Sequence, residues 1–224
     1  MLNTKSLREQ VYDYLRNEIN NRKILPGAFI NLNQISEQLG ISKTPLRDAI
    51  IQLEIEGFVT IFPRRGVTVK KLVLDEIKDT YEIVGALEGS VILNIFDKIK
   101  SSHITQMEKL NTAQLEALER EDYDNYYKSN LDFHGVFLKL SENKTLLQMI
   151  TPFKQRLYDF PRRGYLKEWE LNNCNEHTQF IELLKQKDRK GAATIIRDVH
   201  WSFAVQEEFI RRFYKNANGT LFCE

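Results

Sequence analysis

The sequence has 224 residues, 42% of them hydrophobic and 28% charged, with a formal net charge of +1. This balance is ordinary for a folded chain, and with only five prolines and ten glycines it excludes a disordered, linker-like or collagen-like one. No apolar run reaches the roughly 18 residues of a membrane helix, and Met1 to Gln10 has no apolar core for a secretory signal, so a cytoplasmic protein without membrane contact is expected. Two cysteines, Cys174 and Cys223, do not make a disulfide framework and suit a reducing compartment. The charge is unevenly spread. Residues 1–71 carry 11 basic and 7 acidic side chains, net +4, and residues 72–224 carry 21 and 24, net −3. A basic first third on an acidic remainder points to a polyanion-binding module joined to a domain of another kind.

Leu7, Val11, Leu15 and Ile19 form an apolar stripe at intervals of four, so a first helix is expected, ended by Leu25-Pro26-Gly27. Asn31 caps a second, short helix with Leu32, Ile35 and Leu39 inward and Gly40 as its stop. Ser42 caps a third helix with Pro45 in its first turn, Leu46, Ala49, Ile50 and Leu53 inward, and Gly57 at its end. Phe58 to Phe62 and Val67 to Val69 then read as two strands around the turn Pro63-Arg64-Arg65-Gly66. Beyond Lys70-Lys71 the pattern changes to long helices over 75–99, 103–120, 122–141, 144–160, 168–187 and 190–214. Breaks are expected at Ser101-Ser102, Ser141-Glu142-Asn143, Pro161 through Tyr165 and Lys187-Asp188, with Asn143 and Asp188 as caps and a polar tail from Asn216 to Glu224. The fold class is therefore mainly α. Residues 1–71 form a winged helix-turn-helix with a small β-ribbon wing, and residues 72–224 an antiparallel bundle of about six helices with room for a cavity.

Helix, tight turn, helix is the arrangement whose second helix lies in the DNA major groove. The outward residues of that helix are Ser42, Lys43, Thr44, Arg47 and Asp48. Hydroxyls and free amides at a helix start suit phosphate oxygens, and Lys43 and Arg47, four apart, can reach guanine O6 and N7. Arg64 and Arg65 at the ribbon tip make a wing suited to the adjacent minor groove.

Ile41-Ser42-Lys43-Thr44-Pro45-Leu46-Arg47-Asp48-Ala49, followed by Leu53-Glu54 and Glu56-Gly57-Phe58-Val59, resembles the winged-helix signature of the GntR family of bacterial transcription regulators. Leu25-Pro26-Gly27 and Pro63-Arg64-Arg65-Gly66 match it as well. The resemblance implies a homodimer that binds a double-stranded operator with two half-sites, and it puts Ser42, Lys43, Thr44 and Arg47 at DNA-contacting positions. Asn33 departs from it, since several relatives carry an Arg there.

The remainder resembles the FCD effector domain of the FadR subfamily. Asn130-Leu131-Asp132-Phe133-His134 is similar to its Asp-x-x-x-His element, Ser141-Glu142-Asn143-Lys144 to its usual helix break, Glu176-His177 to its second His element, and Asp188 through Ala193 to His200 to its third. One extra residue lies between Asp188 and Ala193; placed in the turn, it leaves the phase of the next helix intact. The resemblance implies a small-molecule effector, with organic acids favoured, and a metal site of Asn130, His134, His177 and His200 for one divalent ion of the Zn, Ni, Mn or Fe class. Taken singly, each histidine reads first as a satisfied polar residue of a helical core; it is the three together at the family's spacing that make the metal reading its equal. Asn130 stands where the family has Asp, so the site is one negative charge short, and Asp132, about 200° around the helix from His134, cannot replace it. Val84 stands where many relatives place a carboxylate-clamping Arg; Glu88, Tyr81, Tyr123, Tyr126 and Tyr127 are further candidates for a cavity lining. The implied function is an effector-controlled DNA-binding regulator, not an enzyme. The alternative is a metal-dependent enzyme on a helical bundle, and against it the sequence shows no nucleophile with a base nearby, no phosphate loop and no paired carboxylates.

Overall fold

The structure is a computed structural model and describes residues 5–21, 23–71, 73–159 and 166–213; the expected break at Pro161 through Tyr165, the tail from Asn216 and Cys223 lie outside these. The chain divides into two compact units between Val73 and Leu74, and residues from Pro152 along the seventh helix group with the first.

In the first unit α1 spans Leu7–Asn20, α2 Leu32–Leu39 and α3 Lys43–Ile55, with strands β1 Phe29–Ile30, β2 Val59–Phe62 and β3 Gly66–Val69. Ser6 and Glu9 cap α1 reciprocally: the Ser6 hydroxyl accepts from the Glu9 amide while the Glu9 carboxylate accepts from the Ser6 amide. Val11, Leu15 and Ile19 bury as the stripe requires, but Leu7 stays half exposed. Asn31 Oδ1 accepts from the amides of Asn33 and Gln34, and Gly40 closes α2 in the left-handed region at φ +62°. The short turn from Gly40 to Ser42 leads into α3, which lays Leu46, Ala49, Ile50 and Leu53 on the core formed by Leu15, Ile19, Phe58 and Val67. Tyr12 donates to the Glu56 carboxylate, which ties α1 to the end of α3, and the Ile61 amide donates to Glu54 Oε1 at 2.7 Å, which ties β2 to α3.

The sheet is antiparallel in the order β1-β3-β2, with Val59 opposite Val69 and Ile30 opposite Val67 facing inward. The ribbon is thus three-stranded, where the sequence pattern suggests two strands. Leu25-Pro26-Gly27-Ala28 reads as a connection, and the two-residue β1 after it owes its pairing to β3, far along the chain.

The second unit contains α4 Leu74–Ile95 with a 3-10 turn at Phe96–Lys98, α5 Ser101–Glu119, α6 Tyr123–Leu138, α8 Lys167–Lys185, α9 Arg189–Thr194 and α10 Phe203–Phe213; α7, Lys144–Asp159, is shared between the units. Two expectations are corrected. Ser101 and Ser102 do not break the chain but begin α5, the break falling at Ile99 and Lys100. The last helix, expected as one rod over 190–214, is interrupted: α9 passes into a π-helical turn at Ile195–His200, and α10 starts only after Trp201 and Ser202. The regular α phase does not continue to His200, because a π turn takes up an extra residue. Asn143 and Asp188 cap as expected, accepting from Leu146 and Gly191 amides at 3.0 and 2.9 Å. A satellite core of Ala117, Leu118, Tyr126 and Cys174, with Tyr123 and Tyr127 against it, absorbs three of the tyrosines considered as cavity lining. No helix among the described residues is long and apolar enough to cross a membrane.

The π turn sits directly on α4. A Cβ at Gly85 would lie 3.0 Å from Trp201 Cβ and 3.1 Å from the Arg197 carbonyl, and one at Gly89 3.1 Å from Arg197 Cβ. Gly85→Ala should therefore push the turn off α4 and cost about 1–3 kcal/mol, the range for overpacking. Thermal unfolding followed by circular dichroism should show a melting temperature lower by several degrees, and an unchanged value would mean that the turn yields freely.

Candidate functional site

Two sets of polar residues stand out, one in each unit. On α3, Ser42, Lys43, Thr44, Arg47 and Asp48 are exposed while Leu46, Ala49 and Ile50 beneath them are buried, so the helix presents one polar face. Ser42 occupies the cap position, but contrary to expectation its hydroxyl makes no capping hydrogen bond. Pro45 in the first turn has no N–H to offer, so the demand for a cap is reduced. Arg64 and Arg65 are exposed at the β2–β3 turn, where Arg64 adopts φ +62° and the Arg65 amide donates to the Phe62 carbonyl at 3.0 Å. No ion pair among the described residues engages Lys43, Arg47, Arg64 or Arg65. The face is therefore cationic, uncovered and mounted on a packed core.

The second set is buried. His134 on α6, His177 on α8 and His200 at the end of the π turn converge, their ligating atoms all within 4.8 Å of one another and their ring centroids 5.0–5.3 Å apart. Each ring is 6% exposed or less. Phe133 stacks on His177 at 3.9 Å, and Trp201 packs edge-on against His200 at 5.3 Å. Asn130 is buried one turn before His134, Asp132 is exposed, and His103, the fourth histidine, lies apart, its Nδ1 accepting from the Lys100 amide.

Behind the imidazoles stand two glutamates. Glu88, fully buried on α4, holds His134 Nδ1 at 2.9 Å and accepts from Trp201 Nε1 at 2.8 Å, both on Oε2. Glu176 on α8 holds His200 Nδ1 at 2.7 Å through Oε2, while its Oε1 accepts from Gln206 and Asn172 amides at 2.7 Å each. Gln206 in turn accepts from Trp169 Nε1 at 2.8 Å. An ionised carboxylate only accepts, so against one the imidazole Nδ1–H donates, and Nε2 of His134 and His200 would be the ligating atoms. Carboxylate-backed imidazoles of this kind are what a transition-metal site uses to fix its ligands, so the donor set fits a divalent ion of the Zn, Ni, Mn or Fe class. Sequence reasoning offers Glu88 only as a lining residue and misses the roles of Glu176, Gln206, Trp169 and Trp201. A signal is present for the glutamates: Glu88 falls in the inward stripe Tyr81, Val84, Val91, Ile92, and Glu176 beside His177, Phe180 and Ile181.

The two units thus define a class: a winged helix-turn-helix reader carried with an all-helical domain built around a histidine cluster. A family model described as bacterial regulatory proteins, gntR family, matches residues 7–69, and one for the FCD domain matches residues 79–200. The chain belongs to the GntR family of bacterial regulatory proteins, in the group that carries an FCD domain. It is 27% identical over 139 residues to the HTH-type transcriptional repressor RspR of Escherichia coli K12, a match covering 62% of this chain and 61% of that protein. It is 25% identical over 189 residues to the HTH-type transcriptional regulator YdhC of Bacillus subtilis, over 84% of this chain and 75% of the relative. The solved structure of E. coli McbR/YncC shares the fold with a TM-score of 0.69 at 20% identity, covering 94% of this chain and 98% of that one. These families and relatives are regulators, and none lends support to the enzyme alternative.

Trp201→Phe keeps an aromatic ring but deletes the indole donor on Glu88 Oε2. It should cost about 1.5–3 kcal/mol, the scale of a hydrogen bond to a charged group. Chemical denaturation would measure it, and a loss under about 0.5 kcal/mol, within the error of the extrapolation, would show that Glu88 does not depend on this donor.

Proposed function

We propose that the chain is a cytoplasmic transcription regulator that binds operator DNA as a homodimer and responds to a small-molecule effector in its helical domain. The observation that carries this reading is the uncovered face of Ser42, Lys43, Thr44 and Arg47 on α3, with Arg64 and Arg65 on the adjoining wing. Residues 1–71 are the reading module and residues 72–224 the effector and dimerisation module. Lys43 and Arg47 address base edges, Ser42, Thr44 and the α3 amides address phosphate, and the wing arginines address the neighbouring groove or backbone. One such unit touches too few base pairs for operator-level selectivity, so a symmetric pair of half-sites is required. Half-exposed Leu93, Met149 and Val205 leave apolar surface on the second module for that association.

In the helical domain His134, His177 and His200 with Asn130 would hold a divalent ion of the Zn, Ni, Mn or Fe class, which when bound supplies a Lewis-acidic point for an oxygen-bearing effector such as an organic acid. Val84 is fully buried and offers no cation, so an acidic effector is not clamped there by a guanidinium. An effector alters operator affinity only as far as it binds one arrangement of the dimer better than the other, typically by about 1–3 kcal/mol of coupling.

A gel shift against the DNA flanking the gene, at two salt concentrations, tests the reading. Arg47→Ala should weaken specific binding by about 1–3 kcal/mol and relax base preference. Arg64→Ala should weaken all sequences more evenly and flatten the salt slope. Specific affinity within about twofold of wild type for Arg47→Ala, less than about 0.5 kcal/mol, would remove the assigned role. Sedimentation of the full chain at about tens of micromolar should give a dimer, and a monomer there would exclude the paired-half-site arrangement.

A further inference from the structure

The donors of the proposed site, three clustered imidazoles and Asn130, are neutral when they ligate, so a divalent ion among them would leave two positive charges among residues at most 6% exposed. A bare double charge in such surroundings is strongly disfavoured. Two carboxylates nevertheless lie within the same packed core, one behind His134 and one behind His200, at 2.9 and 2.7 Å. Imidazole, indole and amide N–H groups donate to them, and such neutral donors fix a carboxylate's position without cancelling its charge. Two buried carboxylates are themselves costly, and a divalent ion one imidazole away would offset both.

We infer that Glu88 and Glu176 are the charge-supplying and positioning residues of the histidine site, replacing from behind the ligands the charge that Asn130 lacks. Their number matches: two carboxylates balance one divalent ion. Their anchoring matches too. Trp201 and Gln206 hold the carboxylates in place, and Trp169 holds Gln206, so both tryptophans of the chain end on this network. The inference rests on the metal reading proposed above and deepens it.

The hydrogen bonds Glu88 accepts from His134 and Trp201 fall on one oxygen, so Glu88→Gln can keep both through its amide carbonyl while removing the charge. The full chain, stripped with chelator and dialysed, is titrated with zinc by calorimetry while tryptophan emission is recorded. Wild type should take up one ion per protomer, with an emission change that tracks the heat. Glu88→Gln and Glu176→Gln should each bind zinc about tenfold to a hundredfold more weakly. Adding Asn130→Asp, which restores a carboxylate in the site, should return Glu88→Gln to within a few-fold of wild type. If Glu88→Gln fails to fold by circular dichroism, Asn130→Asp in the otherwise unchanged chain decides: zinc affinity within a few-fold of wild type supports the glutamates as the charge source, and a gain above about tenfold overturns it. Zinc affinities within twofold of wild type in the glutamine variants, with His134→Ala abolishing binding, would overturn the inference and leave the metal reading standing. A loss that Asn130→Asp does not restore would overturn the charge-supplying role. No zinc uptake by wild type would overturn the metal reading, and this inference with it.

Discussion

Placing two glutamates in the core of a helical bundle is the constraint around which the second unit is arranged. Removing a carboxylate from water costs several kcal/mol even after relaxation, and only directed donors offset it. Glu88 and Glu176 obtain theirs from elements far apart in the chain: α6, the π turn, Trp201 and α10. Each of those elements must reach its place for the carboxylates to be satisfied. A polar network that is fully paired specifies one packing where a purely apolar core of the same volume would tolerate several.

The close approach on α4 has its origin in the same requirement. His200 and Trp201 must both come within hydrogen-bonding reach of glutamates, one on α8 and one on α4. A π turn widens the helix and shifts the phase of the residues beyond it, and Gly85 and Gly89 let its backbone settle against α4. An uninterrupted α-helix from Arg189 to Phe213 would keep one phase throughout, with no such adjustment between the Ala192–Ala193 face and His200. The break after Trp201 then re-aims α10, so that Gln206 returns to Glu176 and Phe209 stacks on Trp169.

Much of this is legible in the amino-acid sequence. Glycines at helix ends, the cap residues Asn31, Asn143 and Asp188, and the stripe Val11, Leu15, Ile19 act locally, and local signals place helices. The three histidines are legible through resemblance, since nothing local in His134, His177 or His200 announces that they meet. The features that escape a sequence reading are those that depend on contact. β1 exists because β3 pairs with it, and the π turn lies against α4 where two glycines leave it room. Residue type alone assigns the Ser42 hydroxyl a capping bond, and the structure shows none. Glu176 reads in the sequence only as the neighbour of His177, although its partner is His200, 24 residues away. Adjacent positions on a helix point about 100° apart, so a sequence pair says little about which of the two meets the site.

The two units use polar groups in opposite ways, and this bears on how they divide the work. On α3 and the wing, the cations remain outside and without ion pairs among the described residues, while the apolar side beneath is fully packed, so the surface is rigid and its charge available. A site that must compete with water and counterions for phosphate gains from cations not already committed to carboxylates. In the bundle the polar groups are inside and committed to one another, so a change at one imidazole is felt by its glutamate and then by Trp201 or Gln206. Such a network has few intermediate arrangements, because a half-satisfied buried carboxylate is worse than either end state. Discrete alternatives of that sort are what an effector needs in order to select one arrangement over another.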